Sequence, residues 1–194
     1  MAVNRTTEFG TYHIADNPQA FQPVRTNNFR FLVYGLDRLL VVGGNENDDN
    51  DYIKNAQEVL DFSVVSFDAP SFSQQPIQIN RGNSMVNYAG KPQWSGSSNL
   101  VINDYAGVNS KSILQAWQAL SYDVVNDTIP SAEHYKRDAV VMEYLPDNTL
   151  LRYWELKGCW VSNLTETGFD NDNPNKKIVT ATITYDRALP HLAD

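Results

Sequence analysis

The chain has 194 residues, 42% hydrophobic and 11% aromatic, which suits one domain with a real core and excludes a disordered composition. Fifteen Lys and Arg against 23 Asp and Glu leave a net charge of -8, a balance that repels phosphate and excludes a protein built to grip nucleic acid. Cys159 is the only cysteine, so no intrachain disulfide can form, and its apolar surroundings make it a small buried hydrophobe.

The opening MAVNRTTEFG lacks the apolar stretch of a signal peptide. No apolar run approaches the roughly 20 residues of a membrane helix. The expectation is a soluble chain, made in a cytoplasm, that binds no membrane. Without a secretion signal the sequons at Asn4, Asn126 and Asn163 carry no weight.

Residues 1–27 are polar, with Pro18 and Pro23, and read as an N-terminal arm. The domain proper is expected over residues 28–194. Its first strand spans Asn28 to Tyr34, where Phe29, Phe31 and Val33 alternate with Arg30 and Leu32. The apolar patch Leu39 to Val42 ends in Gly43-Gly44, read as a turn closing a strand, and the acidic loop NENDDND follows at Asn45 to Asp51. Glu58 to Asp68 is predicted as one long strand. Its apolar phase changes between Val64 and Val65, which suggests a bulge or a strand serving two surfaces. Ile77 and Ile79 mark a short strand, Arg81-Gly82-Asn83 a turn, and Met85 to Tyr88 a strand ended by Gly90 and Pro92. Trp94 to Asn103 is the next strand.

One helix is predicted, Ser110 to Ser121, capped by Asn109 or Ser110. Ile113, Leu114, Trp117 and Leu120 form its apolar stripe, which must pack on a sheet because so short a helix is unstable alone. Strands follow at Asp138 to Leu145 and Leu150 to Trp160, joined by a turn at Pro146-Asp147-Asn148, with Gly158 as a bulge or a point of close approach. After the polar turn DNDNPN, Lys177 to Arg187 alternates Val179, Ala181, Ile183 and Tyr185 with Thr180, Thr182, Thr184 and Asp186. The fold class is mainly β, an antiparallel sandwich or barrel with one flanking α-helix.

No catalytic, cofactor or metal residue stands out. LLVVGGNEN fits neither dinucleotide nor P-loop spacing, and neither acidic loop has the Gly and final Glu of a calcium loop. His13, His134 and His191 lie far apart, and Cys159 alone cannot complete a zinc site. Two weaker readings stay open. Glu143 and Glu155 could face each other across strands as a glycosidase pair. Trp94 or Trp154 could serve a β-sandwich carbohydrate-binding module, while Trp117 and Trp160 read as core. Tyr153 and Trp154 are adjacent, so one of them turns toward solvent or a partner.

Several features occur together in order: an N-x-F opening to the strand Asn28 to Val33, a strand running into Ala69-Pro70, and the Ala89-Gly90 turn. A Trp-led strand ending in Asn103-Asp104, the helix end Ala116-Trp117-Gln118 and the pair Tyr135-Lys136 follow. Last come the run Glu155 to Trp160, Asn163 and the closing threonine-rich strand. From Asn28 to Ala188 this order resembles the tail tube proteins of contractile-tailed bacteriophages, which are related to the tube proteins of contractile injection systems. The resemblance implies a non-enzymatic virion subunit, without cofactor, that self-assembles into stacked hexameric rings. Those rings would form the inner tail tube through which DNA is ejected into the host, passing without specific binding. Tail sheath, baseplate and tail terminator proteins would be its partners, and the tube would assemble in the host bacterial cytoplasm. Tubes of secretion or bacteriocin-like systems are the alternative. Residues 36–57 look like an insertion loop relative to the compact members of the family.

Overall fold

The computed structural model describes residues 24–43, 55–123, 125–170, 172 and 174–193. Most of the arm and the NENDDND loop lie outside the described residues. Among those described, nine strands and three α-helices form around one core.

Strand β1 (Phe29–Val33) pairs antiparallel with β6 (Arg137–Tyr144), which pairs with the 17-residue β7 (Leu150–Glu166). The second half of β7 pairs with β8 (Ile178–Thr184), β8 with β5 (Ser97–Asn103), and β5 with β2 (Val64–Phe67). Strand β9 (Arg187–Leu192) pairs with the first half of β7. The pairs Trp160↔Thr184 and Lys157↔Arg187 show that β9 continues β8 along the same side of β7. One curved sheet results, in the order β1-β6-β7-β8-β5-β2. Its two ends approach each other, because the rings of Phe31 on β1 and Phe67 on β2 stack at 4.9 Å.

Leu100 and Ile102, with Val179, Ala181 and Ile183, line the core as their alternation predicted, and Val141 and Leu156 join them. The bulge expected at Gly158 is present: Arg137 pairs with Cys159 and Ala139 with Leu156, so β7 carries an extra residue there. Cys159 is fully buried and free, as expected.

The helices differ from the sequence reading. The predicted helix is present as Ser110–Ala119 (α3 here), with Ile113, Leu114 and Trp117 buried and the Trp117 Nε1–H donating to the Tyr135 carbonyl at 2.9 Å. Asn109 stands at the N-cap position, as expected, but its side chain makes no capping bond; the Lys111 N–H donates to Asp104 Oδ1 at 3.4 Å instead. Two further helices were missed. Leu36–Gly43 is helical (α1), not a strand closed by the glycine pair, and buries Leu36 and Leu40 one turn apart. Ala56–Ser63 is also helical (α2), so the long strand expected over Glu58 to Asp68 shrinks to β2. The helix wins because Ala56, Leu60 and Ser63 fall on one helical face and are buried, whereas Phe62 is 76% exposed. The change of apolar phase seen in the sequence marks the junction of helix and strand, and the bulge expected there is present: Val64 pairs with Ile102 and Ser66 with Val101, so β2 carries an extra residue.

Helices α1 and α2 are tied together where Asp37 Oδ1 accepts the Gln57 N–H at 2.9 Å. Gln57 also blocks the open side of β1. Its Oε1 accepts the Val33 N–H at 2.8 Å, and its Nε2 reaches the Phe31 carbonyl at 3.5 Å.

Candidate assembly surfaces

Strands β3 (Phe72–Arg81) and β4 (Ser84–Trp94) pair only with each other, through the predicted turn at Gly82-Asn83. Both run past the short strands expected from the sequence, and β4 continues through Gly90 and Pro92 rather than ending there. Pro76 and Pro92 are tolerated because each strand of a two-stranded ribbon is an edge. Gly90 is required by packing: at the irregularity between Gln74 and Pro76, a Cβ on residue 90 would overlap the Gln75 carbonyl oxygen.

The ribbon has two faces. Cross-strand pairs Ile77↔Tyr88 and Ile79↔Val86 place four apolar side chains on one side, each 37–54% exposed. Pairs Gln78↔Asn87 and Asn80↔Met85 make up the other side. An isolated two-stranded hairpin is marginal in water, and alternation of this kind serves to bury one face. Nothing in the described chain covers it. At the base, Phe72 and Trp94 meet at 5.1 Å, and Trp94 packs on the core, anchoring the ribbon to the domain.

A second open element is β9. Only β7 pairs with it, and Pro190 sits in it, as an edge strand permits. Leu192 is 80% exposed. Beside it, Tyr153 and His191 stack at 4.7 Å.

The third feature is a cleft of about 520 Å³ at the mouth between β1, β2 and β7, lined by Phe29, Val65, Phe67, Pro70 and Trp154 among others. At its rim Arg152 Nε donates to Glu143 at 2.7 Å.

The candidate residues for chemistry are not brought together. Glu143 pairs across strands with Arg152, while Glu155 pairs with Val140, so the two carboxylates project from opposite faces of the sheet. Each is held by a cation, Arg152 for Glu143 and Lys157 for Glu155, so the glycosidase arrangement is not formed. The aromatic platform is not formed either. Trp154 turns inward against the core, Tyr153 takes the outward position, and Trp94 is tilted at 50° to Phe72. Trp117 is fully buried, and Trp160 is half-buried with Tyr135 at 5.8 Å edge-on. Among the described residues no three His, Cys, Asp or Glu side chains gather to hold a metal. In the DNDNPN turn, Asp170 Oδ1 accepts the Asp172 N–H at 3.0 Å, an Asx turn. Among the described residues no helix is long and apolar enough to cross a membrane.

Cys159 and its neighbours show how the crossing point of the sheet is built. Burial first, and the Asp138 charge second, push the Cys159 thiol up to about 12. Burial alone would raise Asp138, but the Gly158 N–H and the Lys157 ammonium, both 3.0 Å away, hold its carboxyl below the ordinary value of 3.8. Lys157 is raised in turn by Glu155 and Asp138.

By sequence, no family model and no curated protein matches the chain. By structure, a chain of the sheath/tube terminator of the PVC extracellular contractile injection system, in the extended state, superposes with a TM-score of 0.58 at 16% identity, over 88% of this chain and 97% of that one. A chain of the PVC sheath-tube complex gives 0.54 at 16% identity, over 89% and 94%. A chain of the anti-feeding prophage baseplate, 6-fold symmetrised, gives 0.56 at 13% identity, over 87% and 95%. These likenesses span nearly the whole of each chain. The mainly β, antiparallel fold of this chain is the fold of tube-type proteins from contractile injection systems, as the sequence resemblance implied.

Proposed function

We propose that the chain is a non-enzymatic structural subunit of the inner tube of a contractile injection system. It assembles into rings, and the rings stack. The observation that carries this reading is the β3–β4 ribbon, whose apolar face of Ile77, Ile79, Val86 and Tyr88 has no cover in the described chain. Lying on a second copy would bury it. The open side of β9 offers a second contact, since an unpaired edge in a soluble protein calls for a partner strand. Ring closure by six subunits is supported by the 6-fold symmetrised assembly in which one similar chain sits. Sheath, baseplate and terminator proteins are the proposed partners, because the similar chains come from assemblies so named.

The finer reading is a bacteriophage tail tube, assembled in the host cytoplasm, that passes DNA into the host. A secretion or bacteriocin-type tube fits the same observations equally. Electron microscopy of the concentrated, negatively stained protein tests the shared core of both. Hollow tubes or stacked rings are expected. Dispersed small particles at every concentration, with and without a tube-initiating partner, would overturn the proposal.

A further inference from the structure

The curved sheet leaves two broad faces without cover from the described chain, and they differ in charge. On the half made by β1, β6, β9 and the start of β7, the outward face carries Arg30, Asp138, Glu155, Lys157 and Arg187 among Val140, Met142 and Tyr153. Val140 is buried beneath these side chains, and Lys157 pairs with both Asp138 and Glu155.

The other half, made by β5, β8 and the end of β7, has a different outward face. Asn163, Thr182 and Asn99 form one row across it. Thr184 pairs with Ser97, and Thr165 with Thr180. None of the described strand positions on this face carries a charge, although 20% of the whole chain is charged. The surface of a soluble domain is ordinarily about 25–35% charged. The polar groups here largely bond to one another. Thr182 Oγ1 donates to Asn99 Oδ1 at 3.3 Å, Thr184 Oγ1 to Ser162 at 2.8 Å, and Thr165 Oγ1 to the Thr180 carbonyl at 3.4 Å. Charges return at the ends of the strands. Lys136 pairs with Asp186, and Glu166 pairs with both Lys111 and Lys177, each at 2.8 Å. Asp68 lies at the margin and accepts a bond from Asn99 Nδ2 at 2.9 Å.

We propose that this threonine- and asparagine-rich face is the wall of the tube's bore and that the wall itself is neutral. The proposal rests on the tube reading above. Its second support is continuity. Strand β2 leads into β3 and β4 leads into β5, so the projecting ribbon grows from this half of the sheet, and any pairing it makes with a neighbour extends the same wall. A passing macromolecule would then meet hydroxyl and amide groups, with Val101, Trp160 and Ile178 among them, none of which offers a fixed charge to hold or repel it. The described strand positions of this face contribute nothing to the chain's net charge of -8.

Cysteine labelling of assembled tubes tests this. Thr182→Cys is labelled as free protein and again as tubes, with a small maleimide and with a maleimide carried on a particle wider than the bore seen in the same micrographs. Cys159 is fully buried and serves as the silent background. The expected result is that assembly abolishes labelling by the wide reagent and leaves labelling by the small one. Retained labelling by the wide reagent would put the face on the outside, and loss of both would put it in a subunit contact; either overturns the proposal. Asn99→Cys, directly opposite Thr182, repeats the test should the first variant fail to assemble. Failure of the unsubstituted protein to form rings or tubes counts against the tube reading itself and is seen before any labelling.

Discussion

Gly158 sits where β7 passes from one half of the sheet to the other. Its φ is +67°, and a Cβ there would overlap the Asp186 carboxylate, which Lys136 holds at 2.8 Å. Gly158→Ala is therefore expected to cost about 1–3 kcal/mol, read as a lower denaturation midpoint at unchanged slope. The next residue gives a second prediction. With its thiol buried and pushed up to about 12, Cys159 should resist alkylation at neutral pH in the native chain and react once the chain is unfolded. A third concerns acid. The Asp138 carboxyl is held below its ordinary 3.8, so the folded state binds its proton less readily than the unfolded state does. The stability it contributes is present above that ordinary value and is lost as pH falls through the lowered one. Unfolding curves taken down this range should show a gentler loss for Asp138→Asn than for the natural chain. The glycine bulge and the buried cysteine were legible in the sequence, because each breaks or fills an apolar run. The contacts of Gly158 with Asp138 and Asp186 were not, since one carboxylate comes from the preceding strand and the other from beyond β8.

No residue of the hairpin is buried, and every residue of β3 is exposed. Ile77→Asp combined with Ile79→Asp changes exposed positions of the apolar face, so the thermal midpoint of the monomer should move little, by the equivalent of about 0.5 kcal/mol or less per site. Assembly should be lost, as read by sedimentation. A collapse of the monomer's fold in that variant would show that the ribbon is internal structure rather than a contact. Its turn was readable from Arg81-Gly82-Asn83, but its length was not, because Gly90 and Pro92 look like terminators and act as such only in a strand with partners on both sides. Helix α2 was hidden for another reason. In Leu60, Phe62 and Val64 the period-two pattern is as clear as the helical one, and only the burial of Ala56 and Ser63 with the exposure of Phe62 separates them. Strand β8 had no such rival, and its Val179, Ala181 and Ile183 face the core as read, although the last strand expected over Lys177 to Arg187 ends at Thr184 and a separate β9 follows.

At the scale of the whole molecule, the net charge of -8 opposes bringing copies together. Screening shortens the reach of that repulsion from about 10 Å at 0.1 M salt to about 3 Å at 1 M. Light scattering should therefore show assembly starting at lower protein concentration in high salt. The opposite trend would mean that contacts between copies are made mainly by opposite charges. The mainly β, antiparallel architecture with a helix against it was legible, whereas which strands share an edge was not, because pairing is set by partners far apart in sequence. The pairing of β1 with β6 has a consequence for synthesis. The Asn28 side chain bonds to the Leu145 carbonyl across 117 positions, so the first strand leaves the ribosome long before its partner exists. At roughly 5–20 residues per second that wait is several seconds or more. The ribbon, whose pairs are all local, can close within it, while the sheet that anchors it cannot. A nascent chain thus displays its sticky hairpin before it has a finished body, and neighbouring copies emerging from one message meet in that state.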